Sequence, residues 1–164
     1  MAVKPVPDGY PSVTTYLIVR DAARAIDYYK TAFDGVELMR LDAPGGLIGH
    51  AEVRIGNTPV MLADENPEWG VQAPQSLGGS PVHLLLYVDD CDTVFQRAIA
   101  AGGTEVRPMR DQFYGDRSGT LTDPFGHQWT VASRKEDLTV GEIKRRAEEA
   151  ARASAQGAQG GSGA

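Results

Sequence analysis

The chain is short of thiols, long apolar runs and positive charge. Its single cysteine, Cys91, excludes an internal disulfide and any zinc site built from several cysteines. No apolar run approaches the roughly 18 residues that a spanning helix needs. Residues 1–13 lack the apolar core of a secretory signal. The expectation is a cytoplasmic protein with no membrane partner. There are 16 Lys and Arg against 22 Asp and Glu, a net charge of −6 with a pI near 5.0. A non-specific nucleic-acid binder needs a basic footprint, so nucleic acid is excluded as a partner. The acidic balance is compatible with a cationic ligand but locates no site. Glycines at 45, 46, 78 and 79 have neither GxGxxG nor P-loop spacing, so no phosphate cradle is expected. What is present is ordinary for a soluble globular protein: 41% hydrophobic and 23% charged residues in a chain of 164. That length suits one well-cored domain or two very small ones.

The organising stretch is YGDRSGTLTDPFGHQWTV at 114–131. The turn Asp123, Pro124, Phe125, Gly126 lies between two runs that alternate at strand period. Upstream, a strand at 13–19 leads to Asp21 as a helix cap. Ala22, Ala25, Ile26, Tyr29, Ala32 and Phe33 then recur at helical spacing, with Gly35 as the stop. Strands are predicted at 36–41, 49–55 and 59–64, followed by a Pro- and Gly-rich linker at 65–80. The pattern then restarts. A strand at 82–88, a cap at Asp89 and Asp90, and a helix carrying Cys91, Val94, Phe95, Ala98 and Ala101 precede strands at 104–107, 117–122 and 127–133. YLIVRD at 16–21 lines up with LLYVDD at 85–90, so the chain duplicates one small unit.

Each helix must bury its stripe against one face of its sheet. Val82, Leu84, Leu86, Leu121, Trp129 and Val131 are assigned to that face. Thr14, Tyr16, His50, Glu52, Arg54, Leu62, His83, Leu85, Thr120 and Thr130 fall on the opposite one. That mixed surface reads as a concave pocket.

A duplicated βαβββ unit ending in D-P-x-G and an alternating strand resembles the vicinal oxygen chelate superfamily, which includes glyoxalase I, extradiol dioxygenases, and fosfomycin and bleomycin resistance proteins. The likeness runs from about residue 12 to 138 and is nearest to the PhnB-like, glyoxalase/bleomycin-resistance branch. It is carried by YLIV at 16–19, GHAEVRIG at 49–56 and YGDRSGTLTDPFGH at 114–127. The resemblance implies an α+β fold: two paired βαβββ modules, 12–65 and 81–135, forming a curved mixed sheet with a concave cleft, commonly within a homodimer. An extension at 1–11 would precede them. Metal-dependent relatives draw four ligands, usually His and Glu, from the first and last strands of each module. The matching positions here are Thr14, His83, Leu62 and Thr130, and only His83 keeps a ligand side chain. A lone imidazole beside threonines and a leucine is a poor site for a divalent ion. The implied protein is therefore a metal-free binder of a small organic molecule with no cofactor. Tyr16, His50, Glu52, His83, Thr120 and Thr130 would line its cleft, with Trp69 and Tyr114 as lids.

The alternative is a glyoxalase-type lyase or isomerase holding a divalent metal such as zinc on His50, Glu52 and His83. His83 is then a candidate base, against the plainer role of a pocket imidazole. A dimeric scaffold without a ligand is a third reading. His127 is expected to hydrogen-bond locally. Cys91, beside Asp89, Asp90 and Asp92, is expected to be structural, since those charges oppose thiolate formation. Trp69, Phe113 and Tyr114 could form an aromatic wall, or Trp69 could staple its loop to the body. Asp116 and Arg117 would pair or anchor the loop ahead of the hairpin. Thr139 and Glu142 have capping-box spacing, with Leu138 as staple, for a helix over 136–153. Lys144, Arg145 and Arg146 are offset by Glu142, Glu148 and Glu149, giving a solvated face. The end, 154–164, is Ala, Gly, Gln and Ser and is expected to be disordered.

Overall fold

The computed structural model describes residues 3–159. The first module contains β1 (Tyr16–Val19), α1 (Ala22–Phe33), β2 (Val36–Ala43), β3 (Leu47–Ile55) and β4 (Thr58–Asp64). A connector with one short helix, α2 (Pro74–Leu77), leads to β5 (His83–Tyr87), α3 (Cys91–Ala100), β6 (Thr104–Asp111), β7 (Asp116–Thr122) and β8 (Gln128–Arg134). The chain closes with α4 (Val140–Gln159). The strands form two four-stranded mixed sheets, ordered β1-β4-β3-β2 and β5-β8-β7-β6. In each, the first strand runs parallel to the last and the other pairings are antiparallel. The duplicated α+β unit expected from the repeat is thus what forms.

Both main helices begin where their caps predict. Asp21 accepts from the Arg24 amide at 3.2 Å, and Asp90 from the Thr93 amide at 3.1 Å. Each occupies an otherwise free donor of the first turn. The α1 stripe is buried, and Tyr29 and Phe33 reach across to the second module, their ring centroids 5.6 and 4.7 Å from Trp129.

The D-P-F-G turn is the joint. The Asp123 carboxylate is buried and accepts four hydrogen bonds, all at 2.8–2.9 Å. They come from the Tyr29 hydroxyl, the Trp129 indole and the Phe125 and His127 amides. Four donors are what a buried carboxylate needs to offset its lost hydration. Gly126 takes a positive φ of 90°, and a Cβ there would meet the Pro74 ring at 2.8 Å, so only glycine fits. The His127 backbone bonds locally to Asp123, as expected, but its ring does not. Its Nε2 lies 2.9 Å from the Ile18 carbonyl, which ties the hairpin to β1 of the other module.

The end of the chain departs from expectation in extent. Thr139 and Glu142 form the reciprocal capping box. The helix expected to stop near Ala153 continues to Gln159, inside the segment 154–164 expected to be disordered. Alanines at 150, 151, 153 and 155 favour that extension. Residues 160–164 lie outside the described residues. Arg146 clamps the helix to the preceding segment through paired bonds of 2.9 and 2.8 Å to Glu136. Among the described residues no helix is long and apolar enough to cross a membrane.

Candidate functional site

Strand register decides which side chains face away from the helices. In the second sheet Leu85, Thr130 and Thr120 lie in one row, with Leu84, Trp129 and Leu121 in the row behind. The assigned faces hold there. In the first sheet Tyr16 pairs with Met61, and Met61 with Glu52, so these three share the open face. Leu62 pairs with Leu17 and Ala51 and is fully buried beneath α1. It does not face the cleft. By register the counterpart of Thr130 is Met61, so the four positions matching the family's ligands are Thr14, Met61, His83 and Thr130. One imidazole, one thioether and two hydroxyls remain a weak donor set for a divalent ion.

On the open face of the first sheet four polar side chains form a chain. The Tyr16 hydroxyl lies 2.8 Å from His50 Nδ1, and His50 Nε2 lies 3.3 Å from a Glu52 carboxylate oxygen. The other Glu52 oxygen accepts a short hydrogen bond from Tyr10, in the segment ahead of β1. A carboxylate only accepts, so Nε2–H donates to Glu52 and leaves Nδ1 to accept from Tyr16. Glu52 is only 6% exposed. Its hydrogen bond, with some burial, raises the Tyr10 pKa; burial first, then the Glu52 charge, raises that of Tyr16. Both phenols therefore stay protonated and keep their donor roles. Tyr10 carried no motif or periodicity, so nothing in the sequence singled it out.

Beside this chain lies a hollow of about 660 Å³. Tyr16, Ile18, Leu47, Ile48, Ala63 and Val71 supply much of its wall, and Trp69 stands at it with 81% of its surface exposed. Asp64, at the end of β4, accepts from the Ile48 and Ala22 amides at 2.8 and 2.9 Å, pinning β3 and the start of α1 around the hollow. Glu65 is held by Ser76 at 2.5 Å, the Ala73 amide at 3.0 Å and Arg20 at 2.6 Å. Those bonds, Ser76 foremost, lower its pKa to about 2.

The remaining candidates lie on the second sheet. His83 is exposed. Thr120 is buried, its hydroxyl 3.0 Å from that of Thr130. Tyr114 lines a separate hollow of about 470 Å³ with Tyr87, Asp116, Arg134 and Ile143. The eight candidates thus divide between two sheets: Tyr16, His50, Glu52 and Trp69 on or beside the first, the other four on the second. Among the described residues no three His, Cys, Asp or Glu side chains come together as a metal set, so His50, Glu52 and His83 do not converge within one chain. Asp116 does not pair with Arg117. It accepts from Tyr87 at 2.6 Å, while Arg117 grips Asp92 at 2.7 and 2.8 Å. Cys91 is buried at the start of α3, its amide donating to Ser133.

Comparison with known proteins agrees with the fold. The uncharacterized protein Mb0911c of Mycobacterium bovis is 44% identical over 137 residues, spanning 82% of this chain and 90% of its own. The structure of TioX from Micromonospora sp. ML1 superposes with a TM-score of 0.60 at 28% identity, covering 76% of this chain and 98% of that one. The fosfomycin resistance protein FosX from Listeria monocytogenes shares the fold, with a TM-score of 0.60 at 16% identity over 81% of this chain and 97% of its own. Residues 11–131 match the profile of the Glyoxalase/Bleomycin resistance protein/Dioxygenase superfamily, and the chain belongs to that family.

Proposed function

We propose that the protein holds a small organic molecule in the hollow of its first module without a metal ion, and that a second copy of the chain completes the cleft. The observation that carries this reading is the hollow itself. About 660 Å³ is the size of a drug-like ligand site, and a mostly apolar wall beside a few fixed polar groups is the usual make-up of one. Tyr16, held by His50, and Asp64 and Glu65, each fixed by its own hydrogen bonds, supply those polar groups. The family's ligand positions add only one imidazole, which favours binding over metal-assisted chemistry.

The case for a second copy rests on the division of the candidates. Leu85 and Tyr87, on the open face of the second sheet along its β5 edge, are each 56% exposed. Apolar side chains gathered on one sheet face mark an interaction surface. Covering it with another copy would bring second-sheet residues over a first-sheet hollow, as the resemblance implies.

The test is thermal unfolding against a panel of apolar small molecules, before and after treatment with a chelator. Ligands near a hundred times their Kd raise the midpoint by about 5 °C, and chelation leaves the shift unchanged. A shift abolished by chelation would move the protein to the glyoxalase-type reading, and a flat response across the panel to a scaffold without a ligand. Sedimentation equilibrium of the wild type and Leu85→Asp tests the assembly, with a dimer expected for the first and a monomer for the second.

A further inference from the structure

Resting on that reading of the hollow, we infer that its ligand is an apolar organic cation. The polar atoms at the site carry one sign of charge. Asp64, Glu65 and Glu68 line the hollow, and among the described residues no Lys or Arg does. Of these, Glu65 is compensated by Arg20 at 2.6 Å. Among the described residues Asp64 is engaged by two backbone amides, which supply no full positive charge. Glu68 has no side-chain hydrogen bond or ion pair among the described residues, and it neighbours Trp69 in the short turn Pro67–Trp69.

Trp69 gives that charge a partner for recognition. An indole left 81% exposed at the mouth of an apolar hollow presents the negative face of its ring to whatever enters. Cations are drawn to that face, most strongly once desolvated, and Trp is the best of the aromatic side chains for it. Apolar walls remove the body of the ligand from water, while Glu68, Trp69 and the Asp64 carboxylate favour a positive centre over a neutral or negative one. A field of uncompensated carboxylates near low-dielectric walls raises the local concentration of such cations.

The test uses two ions of nearly equal size and opposite charge, tetraphenylphosphonium and tetraphenylborate, with neutral triphenylphosphine oxide as the reference. Titration calorimetry on the full chain at low salt is the readout. The phosphonium is expected to bind at least about tenfold more tightly than the borate, and added salt to narrow the gap. Trp69→Ala should cost about fivefold in phosphonium affinity, and Glu68→Gln should reduce the preference while sparing the neutral probe. Both side chains are exposed, and circular dichroism verifies that each variant is folded. Equal affinity for the two ions, or tighter binding of the borate, overturns the charge assignment but leaves the binding reading intact. If none of the three probes binds, the binding reading fails with it.

Discussion

At the scale of single residues, buried and half-buried carboxylates do the structural work, each through an identifiable set of donors. Asp123 accepts four hydrogen bonds, the one from Tyr29 joining the two modules, and Glu65 fixes the connector beside the hollow with three. The second case makes a pH prediction. Glu65 has a folded pKa of about 2 against an ordinary value of 4.5, because Ser76, Ala73 and Arg20 all favour the charged form. A carboxylate whose folded pKa is depressed contributes stability above its unfolded value, and that contribution is lost as pH falls toward the folded one. Glu65→Gln should therefore be less stable than the wild type at neutral pH. The gap should close between pH 4.5 and about 2, as measured by urea unfolding across that range. A gap unchanged over the window would show that Glu65 is not held by these bonds. The side chain is partly open to solvent, so screening keeps the effect modest.

At the scale of strands and helices, legibility in the sequence followed how cleanly the two faces differ. In the second module β5 alternates His83, Leu84, Leu85, Leu86, Tyr87 against a β8 of Gln128, Trp129, Thr130, Val131, and the faces assigned from that pattern agree with the register. In the first module β4 reads Pro59, Val60, Met61, Leu62, Ala63, an unbroken apolar run in which no alternation can be seen. Its parity was a residue out, which put Leu62 in the cleft and hid Met61. A slip of one residue exchanges every side chain between faces, so the pairing of Leu62 with Ala51 and Leu17 was needed to settle it. Bonds between distant segments were equally unreadable: nothing local marks Tyr10 as a partner of Glu52 or His127 as a partner of the Ile18 carbonyl. The corrected parity predicts unequal costs. Leu62→Ala empties a fully buried site and should cost about 2–5 kcal/mol. Met61→Ala, on the partly open face, should cost about 1 kcal/mol or less. Denaturant unfolding of both variants makes the comparison, and equal losses would contradict the register.

At the scale of the whole molecule, the two modules repeat each other in topology but depend on each other for a core. Tyr29 and Phe33 belong to the first module, yet their rings pack on Trp129 of the second, and Tyr29 also meets Phe125 at 6.3 Å. The Tyr29 hydroxyl has Asp123 as its partner, Tyr28 donates to the Ala98 carbonyl, and Arg97 reaches back to the Ala32 carbonyl and Asp34. Separating the modules would strand polar atoms that are buried now and open the largest aromatic surface of the core to water, a loss that a unit of some sixty residues has little margin to bear. Expressed separately, 1–80 and 81–164 should each lack a cooperative thermal transition. Mixed in equal amounts, they should recover one, together with a near-ultraviolet dichroism signal from Trp129, because the aromatic joint is rebuilt only when both halves are present. A cooperative transition in either half alone would mean that each repeat carries a sufficient core of its own, and that the joint around Asp123 orients two domains that fold without it.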